Sequence, residues 1–301
     1  MPKIRKAVIP AAGYGLNFLP ATKAQPKELL PIVDKPIIQY VIEEAKASGI
    51  DEILIITGKN KRPIEDHFDA NPELEENLES KGKQALLNIV KTTTYENIFY
   101  VRQSEPKGLA DAILHAEAFV GNEPFLVLLA DNIMEGDVPA TKQIIDVFEQ
   151  IQEPVLAVDQ VQGDDLSRYG IVDLATDFSQ DGLAKLHTIV EKPSEAQAPS
   201  QWAASGRYVL TPDIFDIIRD LQPGVAGEYQ LSDAISSLGQ EHDIYCYQLQ
   251  GKRNDAGHAL GFVKTSIRHG LEHPETKDEL KDYLIAKSKE LKTQKEAQYE
   301  G

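Results

Sequence analysis

Apolar residues in the first half of the chain alternate between two spacings. Ala7-Val8-Ile9 is a short unbroken apolar run that predicts a buried strand, and it leads into the small-residue loop Pro10-Ala11-Ala12-Gly13-Tyr14-Gly15. From Ile37 the apolar positions fall at Ile37, Ile38, Val41, Ile42 and Ala45, the spacing of one helix face, with Gly49 as the stop. Ile53-Leu54-Ile55-Ile56-Thr57 follows, β-branched and without alternation. Such a run fits a strand covered on both faces, as in a parallel sheet. Strand, helix and strand at this spacing make a βαβ unit.

The pattern then repeats. Phe99 to Val101 predicts a strand, and Leu109, Ala112, Ile113 and Ala116 predict a helix face. Phe125 to Leu129 is a continuous apolar strand running up to Asp131; Val138 to Gln150 reads as a helix and Val155 to Val158 as a strand. The first half is therefore a doubly wound α/β sheet. Ligands in such sheets sit at the carboxyl ends of the strands, where the glycine loop and Asp131 lie. The second half is less regular. Strands are expected at Tyr169–Leu174, Leu183–Val190 and Arg207–Leu210, and helices at Pro212–Leu221 and Gln230–Leu238. Ile244 to Leu249 alternates in polarity and is expected at a sheet edge. The acidic stretch Asn71–Lys83 reads as an exposed insertion. From Glu272 onward Lys and Glu dominate, which predicts an exposed helix with disordered final residues. The organisation expected is a main domain over residues 1–271 and a helical extension over 272–301.

Composition narrows the class. Of 301 residues, 42% are hydrophobic and 26% charged, enough for a packed core. No apolar run approaches the ~20 residues that span a bilayer, and the basic start leads into a strand rather than a signal-peptide core. A soluble cytoplasmic protein is expected, with no membrane partner. Cys246 is the single cysteine, so an internal disulfide is excluded. A formal charge of −17 argues against nucleic acid. It leaves room for a small phosphorylated ligand held by a few lysines, backbone N–H groups and a divalent cation.

The chemistry concentrates in the loop after the first strand. Ala11, Ala12, Gly13 and Gly15 offer backbone N–H groups with little side-chain obstruction, as close approach of a nucleotide requires. The spacing is not the dinucleotide-binding Gly-x-Gly-x-x-Gly, because Phe18 stands at the third position, and no Gly-Lys-Ser or Gly-Lys-Thr follows.

A longer ordered series of motifs decides the reading. Pro10-Ala-Ala-Gly-x-Gly, Phe18 to Ala24, Pro26-Lys27-Glu28, Asp34-Lys35-Pro36 and Ile64 to Phe68 are followed by Gly108-Leu109, Arg168-Tyr169-Gly170, Val190 to Pro193, Gly206 to Leu210 and Gly227 to Ile235. Together they closely resemble the bacterial UTP–glucose-1-phosphate uridylyltransferases, from about Lys3 to Leu284. The resemblance implies a nucleotide-diphospho-sugar transferase fold, a Rossmann-like mixed sheet flanked by helices with further C-terminal helices. It implies UTP and glucose 1-phosphate as substrates, UDP-glucose and pyrophosphate as products, Mg²⁺ as cofactor and a homo-oligomer, dimer or tetramer. Carried over, Ala11, Ala12 and Gly13 hold base and ribose, and Gln103 and Gly108 read the uracil edge. Lys27 contacts the phosphates, and Asp131 and Asp255 ligate Mg²⁺. Gly170, Glu191 and Gly206 line the sugar site, and Lys192 grips the sugar phosphate. Arg207 is offered an acidic partner, Glu228 and Asp233 a fold-supporting part, and His67, His115, His187 and His258 show no metal spacing and read as structural or surface groups.

The chain also departs from the family. Where relatives read Gly-x-Gly-Thr-Arg, it reads Gly13-Tyr14-Gly15-Leu16-Asn17. Asn17 therefore takes a catalytic position without a charged fork, a loss worth ~10²–10³ in rate. That departure supports, as an alternative, a weak or silent regulatory paralogue, with Lys23 as a nearby cation for compensation. Gly108-Leu109-Ala110-Asp111 and Asp131-Asn132 resemble instead the thymidylyltransferases for glucose 1-phosphate, a second alternative.

Overall fold

The computed structural model describes residues 3–299, with side-chain surroundings up to residue 295. Strand β1 (Lys6–Pro10) ends in the glycine loop, and β2 (Pro31–Ile32) and β3 (Lys35–Pro36) form a small hairpin before α1 (Ile37–Ala47). Next come β4 (Glu52–Thr57), α2 (Arg62–Phe68), α3 (Pro72–Ser80), α4 (Gln84–Thr92) and β5 (Ile98–Arg102). Helices α5 (Leu109–Leu114) and α6 (Glu117–Val120) precede β6 (Phe125–Leu128), β7 (Asn132–Glu135), α7 (Ala140–Ile151) and β8 (Val155–Gln160). The second half holds β9 (Gly170–Leu174), β10 (Leu183–Glu191), β11 (Trp202–Leu210), α8 (Ile214–Asp220) and α9 (Leu231–Leu238). It closes with β12 (Tyr245–Gln248), β13 (Lys252–Asp255), α10 (Ala259–Glu272) and α11 (Lys277–Tyr299).

One mixed sheet runs in the order β5-β4-β1-β6-β11-β8-β12-β10-β9. Its first four strands are parallel, so their carboxyl ends share one edge. Strand β11 enters antiparallel between β6 and β8. The unbroken apolar run of β4 now has its reason. Ile53 and Ile55 face a core with Ile38, Val41 and Phe148 from α1 and α7. Leu54 and Ile56 face the opposite core with Ile113, Phe215 and Ile235 from α5, α8 and α9.

Three expectations change. Ile244–Leu249 is not an edge: β12 lies between β8 and β10. Cys246 is fully buried in one core while Tyr245 and Tyr247 are half-buried, so the alternation marks a thinly covered face rather than a sheet edge. The acidic stretch is exposed as expected but is the helix α3, capped by Asn71 accepting from the Leu74 N–H at 3.1 Å, with Leu78 its one buried side chain. Helix α7 starts at Ala140 because Pro139 occupies its cap. Disorder was expected in the final residues; residues 300 and 301 lie outside the described residues. Among the described residues no helix is long and apolar enough to cross a membrane.

Candidate active site

The parallel strands deliver the glycine loop and its neighbours to one edge. Ala11 is buried, and its N–H donates to the Ile56 carbonyl at 2.8 Å. Gln103, just past β5, is also buried; its backbone N–H donates to the Thr57 carbonyl at 2.9 Å and its side-chain amide to Asp111 Oδ2 at 2.6 Å. Gly108 has φ +118°, and a Cβ there would fall 2.5 Å from the Tyr229 carbonyl oxygen, so only glycine fits this entry into α5. Ala11, Ala12, Gly13, Gly15, Gln103 and Gly108 therefore gather around the ends of β1, β4 and β5.

The charged centre lies beside them, at the end of β6. Lys27 follows Pro26 in a tight turn, and its ammonium donates to Asp131 Oδ2 at 2.7 Å. Burial works against the ammonium, but Asp131 and Glu28 outweigh it and hold the Lys27 pKa above its ordinary value. For Asp131 burial works against the carboxylate, and Lys27 with Arg207 keeps its pKa below the usual range. Asp255 arrives through the two-stranded ribbon of β7 and β13, which sets it opposite Asn132. The Ala256 N–H then donates to the Asp131 carbonyl at 2.9 Å. A Cβ on Gly257 would fall 2.8 Å from Asp131 Oδ2 and 3.0 Å from Asp255 Oδ1. Two carboxylates thus border a space that only a hydrogen atom leaves open. Among the described residues no group of three acidic, histidine or cysteine side chains could hold a metal. Two carboxylates suit Mg²⁺, which keeps several waters and shares substrate phosphates.

These side chains face a cavity of about 690 Å³. Asn17, Lys27, Asp131, Asp255, Gly170, Glu191 and Lys192 all line it. Asn17 donates from Nδ2 to the Gly257 carbonyl at 3.0 Å, so the residue in the arginine position ties the glycine loop to the carboxylate corner. Glu191 Oε2 accepts from Ser232 Oγ at 3.0 Å, and Lys192 Nζ stands 3.5 Å from Glu191 Oε1. Lys192 has φ +44°, a left-handed backbone that a side-chain-bearing residue adopts at a cost. Its N–H donates to the Tyr169 carbonyl at 3.0 Å, which holds the strained residue at the cavity wall.

Several expected residues stand apart from this cavity. Ala11, Ala12, Gly13, Gly15, Gln103 and Gly108 are not among its lining residues, and neither is Gly206, which is buried within β11. Lys23 is exposed and is not among the lining residues. Others were missed. Tyr169 donates its hydroxyl to Asp255 Oδ2 at 2.6 Å, and the Arg253 guanidinium lies 3.9 Å over the Tyr169 ring while pairing with Asp159 at 3.2 Å. His258, read as structural or surface, caps α10 and lines the cavity, as does Glu228. Arg253 and His258 flank Asp255 in sequence, and that proximity was the available signal.

The nucleotidyl transferase family model matches residues 6–268. A UTP–glucose-1-phosphate uridylyltransferase of Streptococcus pneumoniae is 52% identical over 98% of this chain and 99% of its own length. A UTP-bound UGPase from Acinetobacter baumannii superposes with a TM-score of 0.86 at 37% identity, covering 94% of this chain and 99% of that one. A UDP-glucose pyrophosphorylase complexed with UDP-glucose gives a TM-score of 0.81 at 40% identity, over 90% of this chain and all (100%) of that one.

Proposed function

The chain belongs to the nucleotidyl transferase family, and within it to the UTP–glucose-1-phosphate uridylyltransferases, and we propose that its cleft transfers the uridylyl group of UTP to glucose 1-phosphate. The products are UDP-glucose and pyrophosphate. A phosphate oxygen of the sugar attacks the α-phosphorus in line; that bond forms as the bond to the pyrophosphate oxygen breaks. Both reactants are anions and the whole chain carries −17, so the reaction depends on local positive charge and positioning. One observation carries the assignment of roles: Lys27, Lys192, Asp131 and Asp255 all face one cavity. In this reading Lys27 takes the nucleotide phosphates, Lys192 the sugar phosphate, and Gly170 with Glu191 the sugar. Ala11, Ala12, Gly13, Gly15, Gln103 and Gly108 hold the nucleoside. Asp131 and Asp255 would hold Mg²⁺, which supplies neutralisation of phosphate charge when bound.

The test is pyrophosphate release from UTP and glucose 1-phosphate in Mg²⁺. Release is expected, with UTP preferred over dTTP by roughly tenfold or more, the size of preference one hydrogen-bonded or methyl contact supports. Faster turnover of dTTP would overturn the uridylyl assignment, and no release with either nucleotide would overturn the activity. Gly257→Ala tests the metal corner. The added methyl group pushes into Asp131 and Asp255, so affinity for Mn²⁺, read by electron paramagnetic resonance, should fall ~10-fold or more. Unchanged Mn²⁺ affinity would place the metal elsewhere. Cytoplasmic residence and a dimeric or tetrameric assembly complete the proposal; the free, buried Cys246 fits a reducing compartment, and sedimentation measures the assembly.

A further inference from the structure

Arg168 closes the turn before β9, and its guanidinium faces the same cavity as Asn17, Lys27 and Lys192. Its side chain is 39% exposed, within reach of a ligand. Two other cations of the cavity are held close to carboxylates, Lys27 to Asp131 at 2.7 Å and Arg253 to Asp159 at 3.2 Å, while Lys192 stands 3.5 Å from Glu191. Arg168 has one acidic neighbour, the exposed Asp165 at 3.4 Å. Its closer partner is His258, whose Nε2 lies 2.6 Å from Arg168 Nη1.

That imidazole has further contacts. The Gly261 N–H also donates to His258 Nε2, at 3.2 Å. On the other side of the ring, Nδ1 lies 3.3 Å from Asp255 Oδ2. The imidazole therefore links Arg168 to Asp255 and orients the guanidinium at the cavity. The contacts continue to Asn17. Asp255 Oδ1 accepts from the Gly257 N–H at 2.8 Å, and the Gly257 carbonyl accepts from Asn17 Nδ2 at 3.0 Å. The Asn17 amide and the Arg168 guanidinium thus line one cavity, joined through Gly257, Asp255 and His258.

We propose that Arg168, positioned by His258, is the phosphate-binding guanidinium of this cavity and supplies the charge that Asn17 lacks. A planar fork of N–H donors matches phosphate oxygens in pairs. The proposal rests on the uridylyltransferase reading for its ligands. The phosphate can belong to UTP or to glucose 1-phosphate, and binding measured separately for each distinguishes them.

Isothermal calorimetry on the unmodified chain, Arg168→Gln and His258→Asn provides the test, with UTP, glucose 1-phosphate and uridine as ligands. Arg168→Gln is expected to weaken UTP or glucose 1-phosphate by ~10-fold or more, as loss of a charge-assisted pair does, with uridine affinity unchanged. His258→Asn keeps a capping oxygen for α10 but loses the imidazole acceptor. It should weaken the same ligand by less, and add little when combined with Arg168→Gln. Turnover of Arg168→Gln should drop ~10²-fold, and adding Asn17→Arg should restore most of it. Unchanged affinity of Arg168→Gln for both phosphorylated ligands would overturn the proposal, as would equal losses for uridine. If the unmodified chain binds UTP yet releases no pyrophosphate, the activity falls, and the affinity comparison still decides the part played by Arg168.

Discussion

Lys27→Met is expected to cut pyrophosphate release from UTP and glucose 1-phosphate by ~10²–10³-fold, the cost of losing one preorganised donor to developing charge. Methionine keeps most of the lysine stem and removes the ammonium, so the change is one of charge more than packing. The ammonium now sits 2.7 Å from Asp131, in the corner where Asp255 and Asn17 converge. The surrounding carboxylates keep it protonated, so it presents a full positive charge across the working pH range. An interaction that strengthens as charge moves toward the leaving pyrophosphate lowers kcat more than it raises KM. That split separates Lys27 from a general fold defect. Asp131 loses its partner in the same variant, so some stability should be lost without a divalent cation and recovered when Mn²⁺ or Mg²⁺ is added. Turnover within about threefold of the unmodified chain would remove Lys27 from the machinery, since loss of a transition-state donor costs far more.

The parts of this site that the sequence reveals are those written in local pattern. Apolar runs without alternation mark strands covered on both faces, and Ile53–Thr57 and Phe125–Leu129 behave as their pattern predicts. A loop of small residues after the first of them, and an aspartate after another, then fall at one sheet edge because parallel strands align their carboxyl ends. What is not legible is long-range pairing of polar segments. Strands β7 and β13 are four residues each, Asn132–Glu135 and Lys252–Asp255, with no periodic signal strong enough to mark them. Their pairing brings Asp255 to Asp131, and composition or spacing offers nothing that predicts it. The resemblance to the family named Asp255 without showing why it belongs there. His258 was hidden for the same reason: a histidine without metal spacing reads as a structural or surface group until the ribbon next to it is known. Ile244–Leu249 shows the opposite error, in which a clear local signal was assigned the wrong cause. Alternation reports how well each face is covered, and a strand inside the sheet can have one thin face.

The buried pair of Arg207 and Glu44 joins stability to the site, and Arg207→Met is expected to destabilise the chain by ~3–5 kcal/mol, the cost of leaving a buried charge without its partner. For a chain of this length that is roughly 5–8 °C in the melting midpoint. The two residues are 163 positions apart in sequence, so an acidic partner was foreseeable but its identity was not. Arg207 has no exposed side-chain surface and Glu44 only 9%. The guanidinium donates from Nε and Nη2 to the two Glu44 oxygens at 3.0 and 2.6 Å. Its remaining donors reach the carbonyls of Leu129, Gly206 and Asn132 at 3.3, 3.1 and 2.7 Å. These bonds clamp the segment on both sides of Asp131, so Arg207→Met should also lower affinity for Mn²⁺. The pH dependence has a definite sign. Burial disfavours the Glu44 carboxylate, but Arg207 and Thr141 hold its pKa below the ordinary value in the folded protein. The pair therefore stabilises the fold above the unfolded carboxylate pKa of about 4.3, and that contribution fades as pH falls through the lower folded value. In Arg207→Met the guanidinium is gone and burial raises the Glu44 pKa, so the penalty is largest near neutrality and shrinks as acid protonates the carboxyl. Denaturation of both proteins at pH 7 and pH 4.5 should show the gap narrowing at the lower pH. A gap that stays constant, or widens, would mean that lost packing rather than an uncompensated Glu44 charge sets the cost.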